Sequence, residues 1–181
     1  GGCFILIRLA DGRFVGIDGR EIAPAKATRD MFVRAGKTDP TLSQTGALAS
    51  GVPGELAAFD YAVKNYGKKQ LCDLLMPAAE LAEKGFRVSE SYANRLQSVA
   101  DEMSPFEAAR AIFFREGQTL KAGDLLQQPD LAASYRNIAR LGSAWFYNGP
   151  FAQATEQWMK ANGGIMTARD FPSDGVKPVE P

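Results

Sequence analysis

The chain has 181 residues, enough for one domain with a buried core, and its 45% apolar and 23% charged content is that of an ordinary globular protein. Lysine and arginine balance aspartate and glutamate at 21 each, so no net field draws the chain toward nucleic acid or anionic lipid. The absence of histidine excludes Ser-His-Asp and Cys-His catalysis, histidine metal ligation and a histidine general base from these residues.

No apolar run approaches the length of a membrane span, and none has the flanks of a signal peptide. Gly1-Gly2-Cys3-Phe4-Ile5 enters strand-like residues at once, without a methionine, which leads us to expect a piece of a longer polypeptide. Cys3 and Cys72 are too few and too far apart for a zinc site; they read as a pair or, preferably, as two small core residues.

Residues 4–9 form a mostly apolar run closed by Asp11-Gly12, a hairpin-favouring pair, and residues 13–17 alternate with period two. The apolar residues on both faces of 4–7 predict a strand interior to a sheet. Two strands are not stable alone, and no other stretch has a strong strand pattern, so the rest of that sheet is expected from elsewhere. Pro24 suits a first helical turn and 25–32 is helix-compatible. Residues 37–45 are polar and carry a proline, which predicts a loop.

Gly51-Val52-Pro53-Gly54 is a turn that launches a helix over 55–66, with Leu56, Phe59, Ala62 and Val63 on its inner face and Gly67 ending it in a left-handed conformation. A helix over 71–84 places Leu71, Leu74, Leu75, Ala78, Leu81 and Ala82 at helical spacing, with Pro77 implying a kink or a break and Gly85 closing it. Residues 86–88 read as an extended link, Ser89-Glu90 as a helix entry into 92–100, and 106–114 as a further apolar helix face. After a turn-rich loop at 117–124, Pro129-Asp130 opens a helix with Leu131, Tyr135, Ile138 and Leu141 inward. A short helix around Trp145, a long one over 151–162 stopped by Gly163-Gly164, and a capped turn at Thr167 to Asp170 complete the chain. We find no internal repeat and no linker that would split it. The expectation is a single unit, 1–181, with hairpin strands in 1–20, mainly helix in 24–171 and an extended tail at 172–181.

Candidate chemistry is sparse. Gly51-Val52-Pro53-Gly54 lacks the lysine and hydroxyl of a phosphate loop and reads as a structural turn. Asp18 and Glu21 could act as an acid–base couple, but close acids are more often solvated or paired with Arg20. Trp145, Phe146, Tyr147 and Phe151 read as core. No serine sits in a Gly-x-Ser-x-Gly elbow. Arg20 is the residue of most interest: its planar fork suits a bidentate pair with a carboxylate, and the competing reading is a local salt bridge to Asp18, Glu21 or Asp30.

The sequence resembles the large subunit of γ-glutamyltransferases (γ-glutamyltranspeptidases). The resemblance rests on Gly1-Gly2-Cys3-Phe4-Ile5-Leu6-Ile7-Arg8 and, most specifically, on Ile17-Asp18-Gly19-Arg20-Glu21-Ile22-Ala23-Pro24-Ala25-Lys26-Ala27. Gly51 to Gly54, the stretch from Pro77-Ala78 to Gly85-Phe86-Arg87-Val88, Phe146-Tyr147-Asn148-Gly149, and Gly163-Gly164-Ile165-Met166-Thr167 to Asp170-Phe171 follow in the family's order. The resemblance implies an α/β fold of the N-terminal-nucleophile hydrolase type, an αββα sandwich. This chain would be a partial, helix-rich large-subunit piece of it with an N-terminal β-hairpin.

It further implies cleavage of γ-glutamyl amides such as glutathione through a threonine acyl-enzyme, with transfer to water or to an amino acid or peptide. That threonine would begin the small subunit after self-cleavage of a precursor, so this chain would contain no catalytic residue and be inactive alone. Arg20 would grip the α-carboxylate of the glutamyl substrate. No cofactor, metal or nucleic acid is implied. The partners would be the small catalytic subunit and the remainder of the large subunit, and the location periplasmic or extracellular. A cephalosporin or glutaryl acylase is the alternative enzyme, and a non-catalytic helical interaction module the alternative of another class.

Overall fold

The computed structural model describes residues 1–171 and the strand Pro178–Val179; the rest of the tail expected at 172–181 lies outside the described residues. The chain divides into two compact units, one of Gly1–Leu71 with Leu141–Pro181 and the other of Cys72–Arg140.

The first unit starts with the expected hairpin, β1 (Cys3–Arg8) and β2 (Phe14–Gly19), antiparallel from Cys3 opposite Gly19 to Arg8 opposite Phe14. In the connecting loop the Asp11 carboxylate accepts the Arg13 N–H at 3.1 Å, a short polar side chain standing in for a backbone partner. The residues between this hairpin and residue 32 do not form the expected helix. Ala27 and Met31 donate to Pro24 and Thr28 three residues back, closing separate turns instead.

Next comes a second hairpin, β3 (Val33–Arg34) and β4 (Lys37–Thr38), then α1 (Pro40–Gln44), where a loop was expected. Asp39 caps α1 by accepting the Thr41 N–H at 3.0 Å, and Pro40 takes a first-turn position that needs no donor. A single 3₁₀ turn, Ala47–Ala49, precedes α2 (Glu55–Tyr66). The inner face of α2 centres on Ala58, fully buried under Gly19, whereas Phe59 is 41% exposed. Small residues on both sides let strand and helix approach, and that rotates the larger apolar side chain outward. Gly67 ends α2 in an extended rather than a left-handed conformation; a Cβ there would stand 2.6 Å from the Val63 carbonyl oxygen.

The second unit takes up α3 (Leu71–Lys84), which runs through Pro77 as one helix. Its buried residues are Ala79 and Ala82, and Leu74 and Leu81 are exposed, so the core stripe is narrower than expected. Gly85 stops the helix at φ +80, the left-handed region open to glycine, and β5 (Phe86–Arg87) follows. Ser89 accepts the Tyr92 N–H and caps α4 (Glu90–Ser98), as its position predicted. α5 (Ala100–Met103) and α6 (Glu107–Phe113) lead into a third hairpin, β6 (Phe114–Arg115) with β7 (Gln118–Thr119).

That hairpin repeats the second. Val-Arg-Ala-Gly-Lys-Thr at 33–38 and Phe-Arg-Glu-Gly-Gln-Thr at 114–119 both turn through a left-handed non-glycine residue, Ala35 at φ 48 and Glu116 at φ 50, followed by glycine. The two segments thus form a short repeat, where no internal repeat was expected. β8 (Leu125–Leu126) pairs with β5, and α7 (Pro129–Leu141) ends the unit. Ala132 and Ile138 are buried on α7 and Leu141 is 52% exposed, against expectation. Arg136 grips Glu83 with two bonds of 2.9 and 2.6 Å, which hold the Glu83 carboxyl below its ordinary value. The core is Val88, Leu96, Leu120 and Leu126.

The chain then returns to the first unit with α8 (Ala144–Tyr147) and α9 (Pro150–Ala161). Of the four aromatics at 145–151, Phe146, Tyr147 and Phe151 pack in the core as expected, while Trp145 only meets Phe151 from outside it; Phe146 stacks on Phe151 at 4.1 Å between centroids, and both reach the fully buried Phe171. Thr167 and Asp170 form the predicted capped turn, with the side chains bonding each other's backbone around Ala168–Asp170. β9 (Pro178–Val179) pairs with β2 at Gly16 and Ile17. Among the described residues the sheet order is β1–β2–β9, with β2 in the middle, and Phe4 and Leu6 of β1 are exposed at 69% and 64%. Part of the partner sheet thus comes from this chain's own tail, which local strand pattern could not reveal. Among the described residues no helix is long and apolar enough to cross a membrane.

Candidate functional site

Arg20 leaves β2 at the point where three glycines close on the main chain. A Cβ on Gly2 would stand 2.7 Å from the Arg20 Cα, and one on Gly54 would press on the Arg20 carbonyl oxygen and lie 2.7 Å from that of Gly19. A Cβ on Gly51 would meet the Glu21 side chain at 2.9 Å. Gly2 and Gly54 need glycine for clearance against the main chain, and Gly51 leaves room for the Glu21 side chain.

Hydrogen bonds complete the clamp. Ile22 and Val52 exchange N–H···O bonds of 3.1 and 2.8 Å, and the Gly54 N–H donates to Gly1 at 3.2 Å. The Asp18 carboxylate accepts the Arg20 N–H at 3.0 Å, tightening the corner. Behind the Gly51–Gly54 turn, the Tyr147 hydroxyl accepts the Ala57 N–H and donates to the Pro53 carbonyl, each at 3.0 Å. The turn is structural, as expected: it builds the wall against which Arg20 rests.

The side chain of Arg20 is free in a way its backbone is not. It is exposed, and among the described residues it forms no ion pair with Asp18, Glu21 or Asp30; its guanidinium carbon sits 5.9 Å from the centroid of the Phe4 ring. Arg29, not Arg20, lies near Asp30, at 3.9 Å. Asp18 spends a carboxylate oxygen on the Arg20 N–H, and among the described residues it makes no salt bridge to the guanidinium. What remains is a fixed main chain presenting a guanidinium on an aromatic shelf, an arrangement suited to an incoming carboxylate.

Cys3 adjoins this corner, its sulfur 3.1 Å from where a Gly19 Cβ would be. Burial, followed by the charges of Glu55 and Asp18, pushes its thiol above the ordinary value, which disfavours the thiolate. Cys3 and Cys72 are both free and half-buried. Among the described residues no group of three or more metal-ligating side chains comes together.

Comparison with known proteins shows what the chain as a whole is similar to. A family profile described as Gamma-glutamyltranspeptidase matches residues 1–181. The glutathione hydrolase proenzyme of Escherichia coli (strain K12) is 45% identical over 173 residues, covering 94% of this chain and 30% of that protein. The Acylase ACY 1 proenzyme of Pseudomonas sp. (strain V22) is 36% identical over 188 residues, covering 100% of this chain and 34% of that protein. The crystal structure of Helicobacter pylori γ-glutamyltranspeptidase superposes with a TM-score of 0.94 at 40% identity, covering 98% of this chain and 52% of that one. The chain thus spans about a third of the length of the curated relatives it matches. The structural neighbours are γ-glutamyltranspeptidases and acylases, both N-terminal-nucleophile hydrolases, and the fold expectation holds: a helix-rich piece with small sheets.

Proposed function

The chain belongs to the γ-glutamyltranspeptidase family, and on that premise we propose that it is one piece, 1–181, of the large subunit of an enzyme that cleaves γ-glutamyl amides such as glutathione. A threonine hydroxyl supplied by the small subunit attacks the γ-carbonyl carbon, with its own α-amine or a nearby group taking the proton. The C–N bond breaks, the amine leaves with a proton, and an acyl-enzyme ester remains. Water, an amino acid or a peptide then attacks that ester and frees the threonine. Backbone N–H groups outside this chain stabilise the oxyanion. The chain by itself is inactive, because it holds the substrate without supplying the nucleophile.

Its contribution is Arg20, which we assign to the substrate α-carboxylate. The observation that carries this reading is the pairing of a clamped main chain with an unpaired guanidinium. The fork fixes the glutamyl group by two bonds at one end while the reacting amide lies at the other. We place the enzyme in the periplasm or outside the cell, with no cofactor and with the small subunit and the rest of the large subunit as partners.

The acylase reading is favoured by a 36% identical relative over the whole chain. A glutaryl group carries its terminal carboxylate where γ-glutamyl carries the α-carboxylate and lacks only the α-ammonium, so Arg20 suits either. Measuring release of glutamate from glutathione against glutarate from a glutaryl amide, with the whole protein, decides between them. Faster turnover of glutathione is expected; preference for the glutaryl amide reverses the assignment, and turnover of neither leaves the non-catalytic module.

A further inference from the structure

We propose that Tyr147 is a positioning residue for Arg20, acting through the Pro53–Gly54 turn. The inference rests on the reading of Arg20 as the carboxylate grip. Gly54 is the N-cap of α2 and has no side chain to satisfy the first-turn amides. The Tyr147 hydroxyl does that from a distance: it accepts the Ala57 N–H and donates to the Pro53 carbonyl, both at 3.0 Å and both partly buried. One oxygen therefore ties the peptide before the helix to the third residue within it. Gly54, held between those two anchors, is the residue on which a Cβ would press against the Arg20 carbonyl oxygen.

The ring itself is fixed independently. Tyr147 is 8% exposed, meets Phe146 edge-on at 5.0 Å and belongs to the core around Met159, Met166 and Phe171. Its packing would be served equally by phenylalanine; only the two hydrogen bonds require tyrosine. Without the hydroxyl, the Pro53 carbonyl and the Ala57 N–H lose a shared partner, the start of α2 frays, and the wall behind Arg20 moves. A guanidinium aligned for bidentate contact is sensitive to such a shift, and substrate groups that never meet it are not.

The test compares two donors in the full-length enzyme: a γ-glutamyl amide, and the same amide with its α-carboxylate replaced by a carboxamide. Tyr147→Phe is expected to raise KM for the first about tenfold with kcat within about twofold, and to leave KM for the second unchanged. Equal loss on both donors, or loss on neither, overturns the inference. Arg20→Lys is the control for the underlying reading: if it treats both donors alike, the carboxylate role of Arg20 fails. If Arg20→Lys discriminates and Tyr147→Phe does not, only the positioning role fails. Gly54→Ala presses on the Arg20 carbonyl from the same wall and must give the same donor-selective signature, which keeps the test in force should Tyr147→Phe not fold.

Discussion

The Asp170 carboxylate accepts the Ala25 N–H at 2.8 Å across 145 positions of sequence. Its other oxygen accepts the Thr167 N–H at 2.7 Å and the Thr167 hydroxyl at 2.9 Å. One side chain thus closes the last 3₁₀ turn and pins the segment just past Arg20. Asp170→Ala leaves the partly buried Thr167 N–H and the exposed Ala25 N–H without their acceptor and is expected to cost about 1–2 kcal/mol, read as a lower thermal-unfolding midpoint of the whole protein.

The same residue sets an acid limit. Burial by itself would raise the Asp170 carboxyl, but the N–H donors of Ala25 and Thr167, the Thr167 hydroxyl and the charge of Lys26 outweigh it and hold the group below its ordinary value. A lowered folded-state pKa means that the unfolded chain binds more protons in the window between the two values. The contribution is therefore complete above the ordinary aspartate pKa of about 3.9 and is lost as pH falls through the folded value. Asp170→Asn should flatten this part of the acid-unfolding curve while leaving the Glu83–Arg136 part in place.

Arg20→Ala removes the unpaired guanidinium without disturbing the clamp, which is made of glycines and backbone. In the whole enzyme KM for a γ-glutamyl donor should rise by about 30-fold or more, with a smaller change in kcat. The thermal midpoint should stay within about a degree, since the side chain makes no ion pair among the described residues. An unchanged KM would assign Arg20 to the surface alone.

Gly85→Ala should be among the most damaging single changes in the second unit. The residue sits at φ +80, and a Cβ would meet the Leu126 carbonyl oxygen at 2.6 Å where β5 and β8 pair. A loss of about 2 kcal/mol or more is expected, visible as faster proteolysis at 85–90 under native conditions.

Ala35 and Glu116 carry the opposite opportunity. Both hold a left-handed conformation immediately before a glycine, and Asn-Gly is the pair that such hairpin turns favour. Ala35→Asn and Glu116→Asn should each stabilise by about 0.5–1 kcal/mol, additively because they lie in separate units, and thermal unfolding of the single and double variants measures this.

Much of this chain was legible because its signals are local. The hairpin across Asp11-Gly12, the Ser89 cap, the Gly85 stop and the Thr167–Asp170 box each depend on residues within a turn of one another, and the structure has all four. Arg20 could be singled out from the order of motifs around it, but its freedom from Asp18, Glu21 and Asp30 could not be read from spacing. Tertiary contact decided what lay beyond local range. Ala25-Lys26-Ala27 is good helical sequence, yet the Ala25 amide goes to Asp170 and the segment turns. Phe59, Leu74 and Leu141 fit amphipathic stripes, yet Ala58, Ala79, Ala82 and Ala132 are what the core takes in, because small side chains let backbones approach and shift the buried face by a residue or two. Strand β2 takes its second neighbour from Pro178–Val179, a pairing that no local strand pattern announced. Periodicity records which residues tolerate burial; which of them are buried, and which way Arg20 faces, depends on partners distant in sequence.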